Sequence, residues 1–254
     1  MNALIRSELL KLRTARSFIV LTCLGAGLTA VISILSGFLT DFSDPGNTRP
    51  AVDAISNASF VLLFALMLGI LLITSEYRHG SIASTLLVEP DRRRLLLAKL
   101  LAAAIAGAAI GLVAAALDLV IEAAILPTRD LSLHVGGKEL FRLLAGMTAG
   151  GGLMAALGVG IGALVRRQTA AIVGFLVFLL VIESFLTGLV LDSGEVRFTL
   201  SAAMAQVTDT TETAGINNLD HPLGQVSGGL VLLAWVAVFG AVGALVIQAR
   251  DVTD

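Results

Sequence analysis

Cysteine is almost missing from this 254-residue chain, with Cys23 the only one. A lone cysteine forms no internal disulfide and supports no Cys-rich zinc site. It lies in an apolar run and reads as packing. Charge is scarce as well. Asp, Glu, Lys and Arg make up 14% of the residues, against about 25% in a soluble domain. Seventeen Lys and Arg face nineteen Asp and Glu, a net charge of -2. The basic surface that a nucleic-acid binder needs is therefore absent, and nucleic acid is excluded as a partner. Catalytic signatures are missing too. The nearest approach to a phosphate-cradling loop is Gly137-Lys138. Glu139 follows where Ser or Thr is required, and Ser132 occupies the place of the first glycine. No Gly-x-Ser-x-Gly and no His-Glu-x-x-His occurs, and His79, His134 and His221 sit in three different connections. The chain is expected to be no enzyme, with no catalytic, cofactor or metal residues.

What is plentiful is apolar surface. Hydrophobic residues make up 56% and mean hydropathy is +0.92. A helix crosses a hydrocarbon core of roughly 30 Å with about 20 apolar residues. The segments that meet or approach this are Ser17–Leu39, Ser59–Thr74, Leu95–Leu126, Leu140–Val165, Thr169–Leu191 and Gly228–Gln248. The expected fold is an all-α membrane protein with six transmembrane helices, forming one domain over residues 1–254. The first span is too long for the apolar core of a cleaved signal peptide. Pro45, Pro50, Pro90, Pro127 and Pro222 all fall between these spans. Proline breaks helix interiors, so the spans are expected to be unbroken and straight.

Positive charge sets the orientation. With the N-terminus in the cytoplasm, Arg6, Lys11, Arg13, Arg16, Arg78, Arg92, Arg93, Arg94, Lys99, Arg166, Arg167 and Arg250 lie inside. Only Arg49, Arg129, Lys138, Arg142 and Arg197 lie outside. The positive-inside rule then puts both termini in the cytoplasm. Residues 2–16 place Ile5, Leu9 and Leu12 on one helical face with Arg6 and Arg13 beside it, the pattern of a helix lying on the membrane surface. Residues 75–94 form the longest cytoplasmic connection. Gly80 is placed to end a helix that continues from the second span. Asp91 is placed to cap the third span, and the adjacent arginines suit phosphate head groups or a protein partner. Of the outer loops, 40–58 and 127–139 are modest. Loop 192–227 is long, and its apolar patch Phe198–Val207 suggests a short external or re-entrant helix.

Two further patterns stand out. Asp118 and Glu122 lie one turn apart on the third span, and Glu183 lies on the fifth. Intramembrane acids are costly and usually face a bundle interior, a wet cavity or a partner. They are candidates to line a translocation path for cationic or amphipathic cargo. Gly107 with Gly111, Gly146 with Gly150, and Gly158 with Gly162 have the four-residue spacing that lets helix backbones approach. That contact is either within one subunit or between two copies.

The segment Glu76-Tyr77-Arg78-His79-Gly80-Ser81-Ile82, followed by Thr85-Leu86-Leu87, Pro90, Arg92–Arg94 and Ala98-Lys99, resembles the hallmark of ABC-2 type permeases, the membrane subunits of bacterial ABC exporters. The opening Glu8-Leu9-Leu10-Lys11-Leu12-Arg13 is similar to that family's N-terminal surface helix. The resemblance implies a multi-pass protein of a bacterial cell membrane that exports a drug, antibiotic, peptide or other amphipathic cargo. It implies two permease copies, in a homodimer or heterodimer, on two copies of a cytoplasmic P-loop ATPase, which would hold ATP and Mg. The loop at Gly80–Pro90 would dock into that ATPase, with Glu76 and Arg78 forming ion pairs at its root. The alternatives are an ATP-independent secondary transporter or channel that uses the intramembrane acids, and a non-transporting immunity protein.

Overall fold

The computed structural model describes the chain except residues 15, 40–49, 79, 81–90, 130–134, 166, 212–215, 217–218, 220 and 250–254. Among the described residues there is helix and no strand. In chain order the helices are α1 (Asn2–Thr14), α2 (Arg16–Leu39), α3 (Pro50–Ala58), α4 (Val61–Arg78) and α5 (Arg92–Ile125), the last continued by a 3-10 turn at Leu126–Arg129. Then come α6 (Gly137–Val165), α7 (Gln168–Val177), a π-helical segment (Phe178–Glu183), α8 (Ser184–Leu189), α9 (Ser193–Val196), α10 (Leu200–Thr208) and α11 (Gln225–Ala249). Six stretches are long and apolar enough to cross a membrane, as the hydropathy implied.

Glycine decides which spans sit at the centre. A Cβ on Gly69 of α4 would overlap the Ala155 carbonyl of α6, and one on Gly158 would overlap the Leu66 carbonyl of α4. Gly107 of α5 and Gly151 of α6 meet each other's carbonyls in the same way, and Gly111 meets that of Met147. Backbones this close interlock without side chains between them. Accordingly, 72% of the apolar stretch of α6 and 67% of that in α3–α4 is buried inside the molecule. For α2 the share is 17%, and for α7–α8 and for α11 it is 22%. These outer spans present their apolar side chains outward. Phe175, Phe178, Trp235 and Phe239 form a ladder joining α7 to α11, with successive ring centroids 6.5, 6.4 and 5.9 Å apart.

Two expectations are corrected. The second span is not confined to Ser59–Thr74, because Pro50–Ala58 is helical and the apolar stretch runs over Pro50–Arg78. Pro50 suits the first helical position, and Ala51, Val52, Ala54, Ile55 and Ala58 are buried. Asp53, Ser56, Asn57 and Ser59 dilute the hydropathy there, which is why these residues read as loop. Nor are the spans unbroken. A turn at Ser59-Phe60 separates α3 from α4, and Ser59 Oγ donates back to the Ile55 carbonyl at 2.7 Å. The fifth span widens into the π segment. Neither irregularity needs proline: a back-bonding serine competes for helix carbonyls, and π turns absorb one extra residue. The remaining span ends lie within three residues of those expected. The apolar patch Phe198–Val207 contributes to a short helix, α10, over Leu200–Thr208.

Candidate functional site

The loop at 79–90 begins where α4 ends and finishes where α5 starts, so its roots are fixed by those two ends. The α4 end is a glycine stop. Gly80 has φ +68° and its N–H bonds the Tyr77 carbonyl at 3.3 Å, as a left-handed residue just past a helix C-terminus does. The α5 start is capped by Asp91, whose carboxylate accepts from the Arg93 and Arg94 backbone N–H groups at 3.0 and 3.3 Å. The neighbouring arginines are used inside the chain. Arg92 donates to the Ile247 carbonyl at 2.6 Å and Arg93 to Gln248 Oε1 at 3.1 Å, both at the end of α11. Helix C-terminal carbonyls lack intrahelical partners and welcome cations, so Arg92 ties the start of α5 to the end of α11, with Arg93 bonding a side chain there. His79, Ser81, Ile82, Thr85, Leu86, Leu87 and Pro90 lie outside the described residues.

Between the two roots lies a closed ring of ion pairs. Lys99 of α5 donates to Glu8 Oε2 of α1 and to Glu76 Oε1 of α4, both at 2.7 Å. Lys11 of α1 donates to Glu8 Oε1 at 2.6 Å and to Glu76 Oε1 at 3.0 Å. Glu8 and Lys99 are almost wholly buried, Glu76 is buried, and the Lys11 side chain is 46% exposed. Each cation touches both anions, so no buried charge is left uncompensated, which is what makes burial of such groups tolerable. At Glu8, burial works to raise the carboxyl, but Lys99 and Lys11 outweigh it and hold it below its ordinary 4.5. At Lys11, burial works to lower the ammonium, but Glu8 and Glu76 outweigh it and hold it above 10.5. Leu12 beside the ring is buried and Leu9 packs on the core, while Leu10 is exposed, so one face of α1 is docked. Glu76 thus pairs at the loop root, with lysines from two other helices. Arg78 is exposed and borders a cleft with Tyr77, Arg167 and Gln168. Sequence reading had not placed Glu8, Lys11 and Lys99 in the site. The i,i+3 spacing of Glu8 and Lys11 was the available signal.

The intramembrane acids divide into two settings. Asp118 and Glu122 are buried on α5 where α2 and α3 cover it. Ser33 stands next to Asp118. The Ser33 hydroxyl, both Asp118 oxygens and Glu122 Oε2 have no hydrogen-bond partner among the described residues. Asp53 of α3 faces Glu122 with like charge, a neighbour hidden from the sequence reading because 40–58 read as loop. Glu183 is elsewhere. It ends the π segment and accepts from the Ser201 backbone N–H at 2.8 Å, binding the first turn of α10 to the fifth span. A cleft of ≈ 460 Å³ opens beside it, lined among others by Asn57, Phe60, Leu179, Ser184, Thr187 and Met204, with no charged side chain.

The glycines singled out for packing all sit at contacts within this one chain. Gly107 and Gly111 meet α6, Gly158 and Gly162 meet α4, and Gly146 meets α10 at the Val207 carbonyl. Gly150 lies against Val207 and Leu62. Gly160 and Gly243, outside any four-residue pair, do the same work between α6 and α11.

Among known proteins, residues 2–252 match a family model described as ABC-2 family transporter protein. No curated protein matches the chain.

Proposed function

The chain belongs to the ABC-2 transporter family, a family of membrane components of ABC transporters, and from that premise we propose that it is the permease of a bacterial exporter powered by a separate P-loop ATPase. Two permease copies and two ATPase copies form the working unit, and ATP and Mg are held by the ATPase. The observation that carries this reading is the architecture at the cytoplasmic loop. Residues 79–90 are delivered by two long helices whose ends are pinned by the Glu8–Lys11–Glu76–Lys99 ring and the Asp91 cap. A loop carried on pinned helix ends passes a push on to the spans instead of absorbing it. Glu76 holds the root, and Arg78, Gly80, Ser81, Ile82, Thr85, Leu86, Leu87 and Pro90 with His79 form the docking segment. Nucleotide-driven closure of the ATPase pair then favours one arrangement of the spans over another, by no more than its differential affinity for the two.

The cargo is amphipathic, a drug, antibiotic or peptide. The cleft between α3–α4, the fifth span and α10 supports this: its apolar walls carry hydroxyl and amide groups and no charge. Asp118, Glu122 and Glu183 are the acids offered to a cationic group on the way out. The unpartnered oxygens of Asp118 and Glu122 also favour a second reading, in which these acids carry ions without ATP.

The deciding experiment is purification of the tagged chain from its own host in mild detergent. The expected result is a soluble protein bearing a Walker A motif, about one copy per permease, in a complex that hydrolyses ATP. Recovery of the folded chain alone, with transport that survives ATP depletion and follows an ion gradient, would overturn the ABC reading in favour of the second.

A further inference from the structure

The two roots of the cytoplasmic loop belong to α4 and α5, so a push on the loop reaches the second and third spans by covalent connection alone. The ring of ion pairs adds a third route. Glu8 and Lys11 are on α1, which runs into α2 with only residue 15 between the two helices. Lys99 reaches Glu8 across 91 residues of sequence, and Lys11 reaches Glu76 across 65. Their ion pairs are short, and the Lys99 pairs are out of solvent. In that setting charge-assisted bonds are strong and directional.

The span beyond α1 lies at the edge of the bundle, with 17% of its apolar stretch buried inside the molecule. The inward face of α2 is Gly25, Thr29, Ser33 and Gly37, at four-residue intervals and all buried. Ser33 of this face stands beside Asp118 of α5. Among the described residues no salt bridge joins α2 to α5. Gly25 and Gly37 of α2 meet side chains, Val61 and Phe64 of α4 and Ile125 of α5, where Gly151 and Gly158 of α6 meet backbone carbonyls, so α2 is held by side chains that can re-pack and not by interlocked backbones.

We infer that Glu8, Lys11, Glu76 and Lys99 are positioning residues that make α1 move with both loop roots, so that the ATPase stroke drives the first span directly as well as the second and third. This rests on the ATP-driven reading above. The ring is the link, and α2, held by side-chain contacts at the edge of the bundle, is the span it moves.

The test uses the permease–ATPase complex in lipid nanodiscs, with Cys23 replaced by Ser and a spin label at Leu35, which is 55% exposed on α2. Line shape and oxygen accessibility are compared between nucleotide-free and ATP-trapped complex. The expected result is an ATP-dependent change at Leu35 that is lost in Lys99→Glu while the ATPase stays bound and hydrolyses ATP. The fourfold variant Glu8→Lys/Lys11→Glu/Glu76→Lys/Lys99→Glu inverts every charge, keeps each contact a cation–anion pair and should recover the change. No change at Leu35 in the unaltered ring during hydrolysis would overturn the inference, whether or not the variants fold. So would a change that survives Lys99→Glu, or a folded fourfold variant no better than the single. Absence of a bound ATPase would instead sink the ATP-driven reading and is scored separately.

Discussion

At the scale of single residues, the ring at the loop root is sensitive to pH from both sides. Glu8 is held below 4.5 in the folded protein, so the stability it adds is complete above that value and is lost as pH falls through the lowered value. Lys11 is held above 10.5, so its contribution is complete below that value and is lost as pH rises through the raised one. Attachment of α1 should therefore be constant through the neutral range and loosen at either extreme. A spin label at Ser7 should stay immobile near pH 7 and gain mobility in acid below about pH 4.5; mobility that changes between pH 6 and 8 would contradict the ring. Glu183 yields a second expectation. Glu183→Gln keeps a carbonyl to accept from Ser201 and should leave the melting temperature nearly unchanged. Glu183→Ala leaves the first turn of α10 unsatisfied and should cost about 1–2 kcal/mol. Export of the true cargo by Glu183→Gln separates the structural role from a role in the path: full export removes this acid from the path.

The same contrast runs through the helices. Gly158 and Gly174 are both helical glycines in apolar runs, yet Gly158 faces the Leu66 carbonyl and Gly174 faces open space. Gly158→Leu has to separate two backbones and should abolish a monodisperse folded peak in size-exclusion chromatography. Gly174→Leu should behave as the parent, within about 0.5 kcal/mol. Spacing alone flagged Gly158 with Gly162 and passed over Gly160 and Gly243, because a four-residue pattern records one helix and says nothing of what lies opposite. The elements themselves were legible where composition is uniform. Runs such as Gly228–Gln248 announce a span by hydropathy, whereas Asp53 and Asn57 hid α3. The π segment at Phe178–Glu183 has no compositional mark. At the loop root, Glu76 and Lys99 were visible as part of a motif and Glu8 with Lys11 as a helical pair. Their meeting was not visible, since it depends on three helices arriving at one point from distant parts of the chain.

For the molecule as a whole, the distribution of Lys and Arg predicts six spans with both termini inside, and the single cysteine makes this simple to check. With Cys23 changed to Ser, Ser7→Cys should react with a membrane-impermeant maleimide only after the cells are opened, and Gly194→Cys should react in intact cells. Both sites are exposed, so the reverse pattern would invert the topology and place the ring on the wrong side for a cytoplasmic ATPase. The central core of α3–α4, α5 and α6 is locked through glycine contacts, while α2, α7–α8 and α11 are more exposed around it. The central helices are thus drawn together where glycine replaces side chains, and the Glu8–Lys11–Glu76–Lys99 ring ties α1 to α4 and α5.

The ring also has an electrical consequence. Two lysines and two glutamates sum to zero, so the joint can be displaced toward the bilayer without carrying net charge through the transmembrane field. One elementary charge crossing that field is worth about 2.3 kcal/mol per 100 mV. A neutral joint is spared this work whether the cell is polarised or not, so on the proposed ATP-driven reading its own displacement adds no voltage dependence.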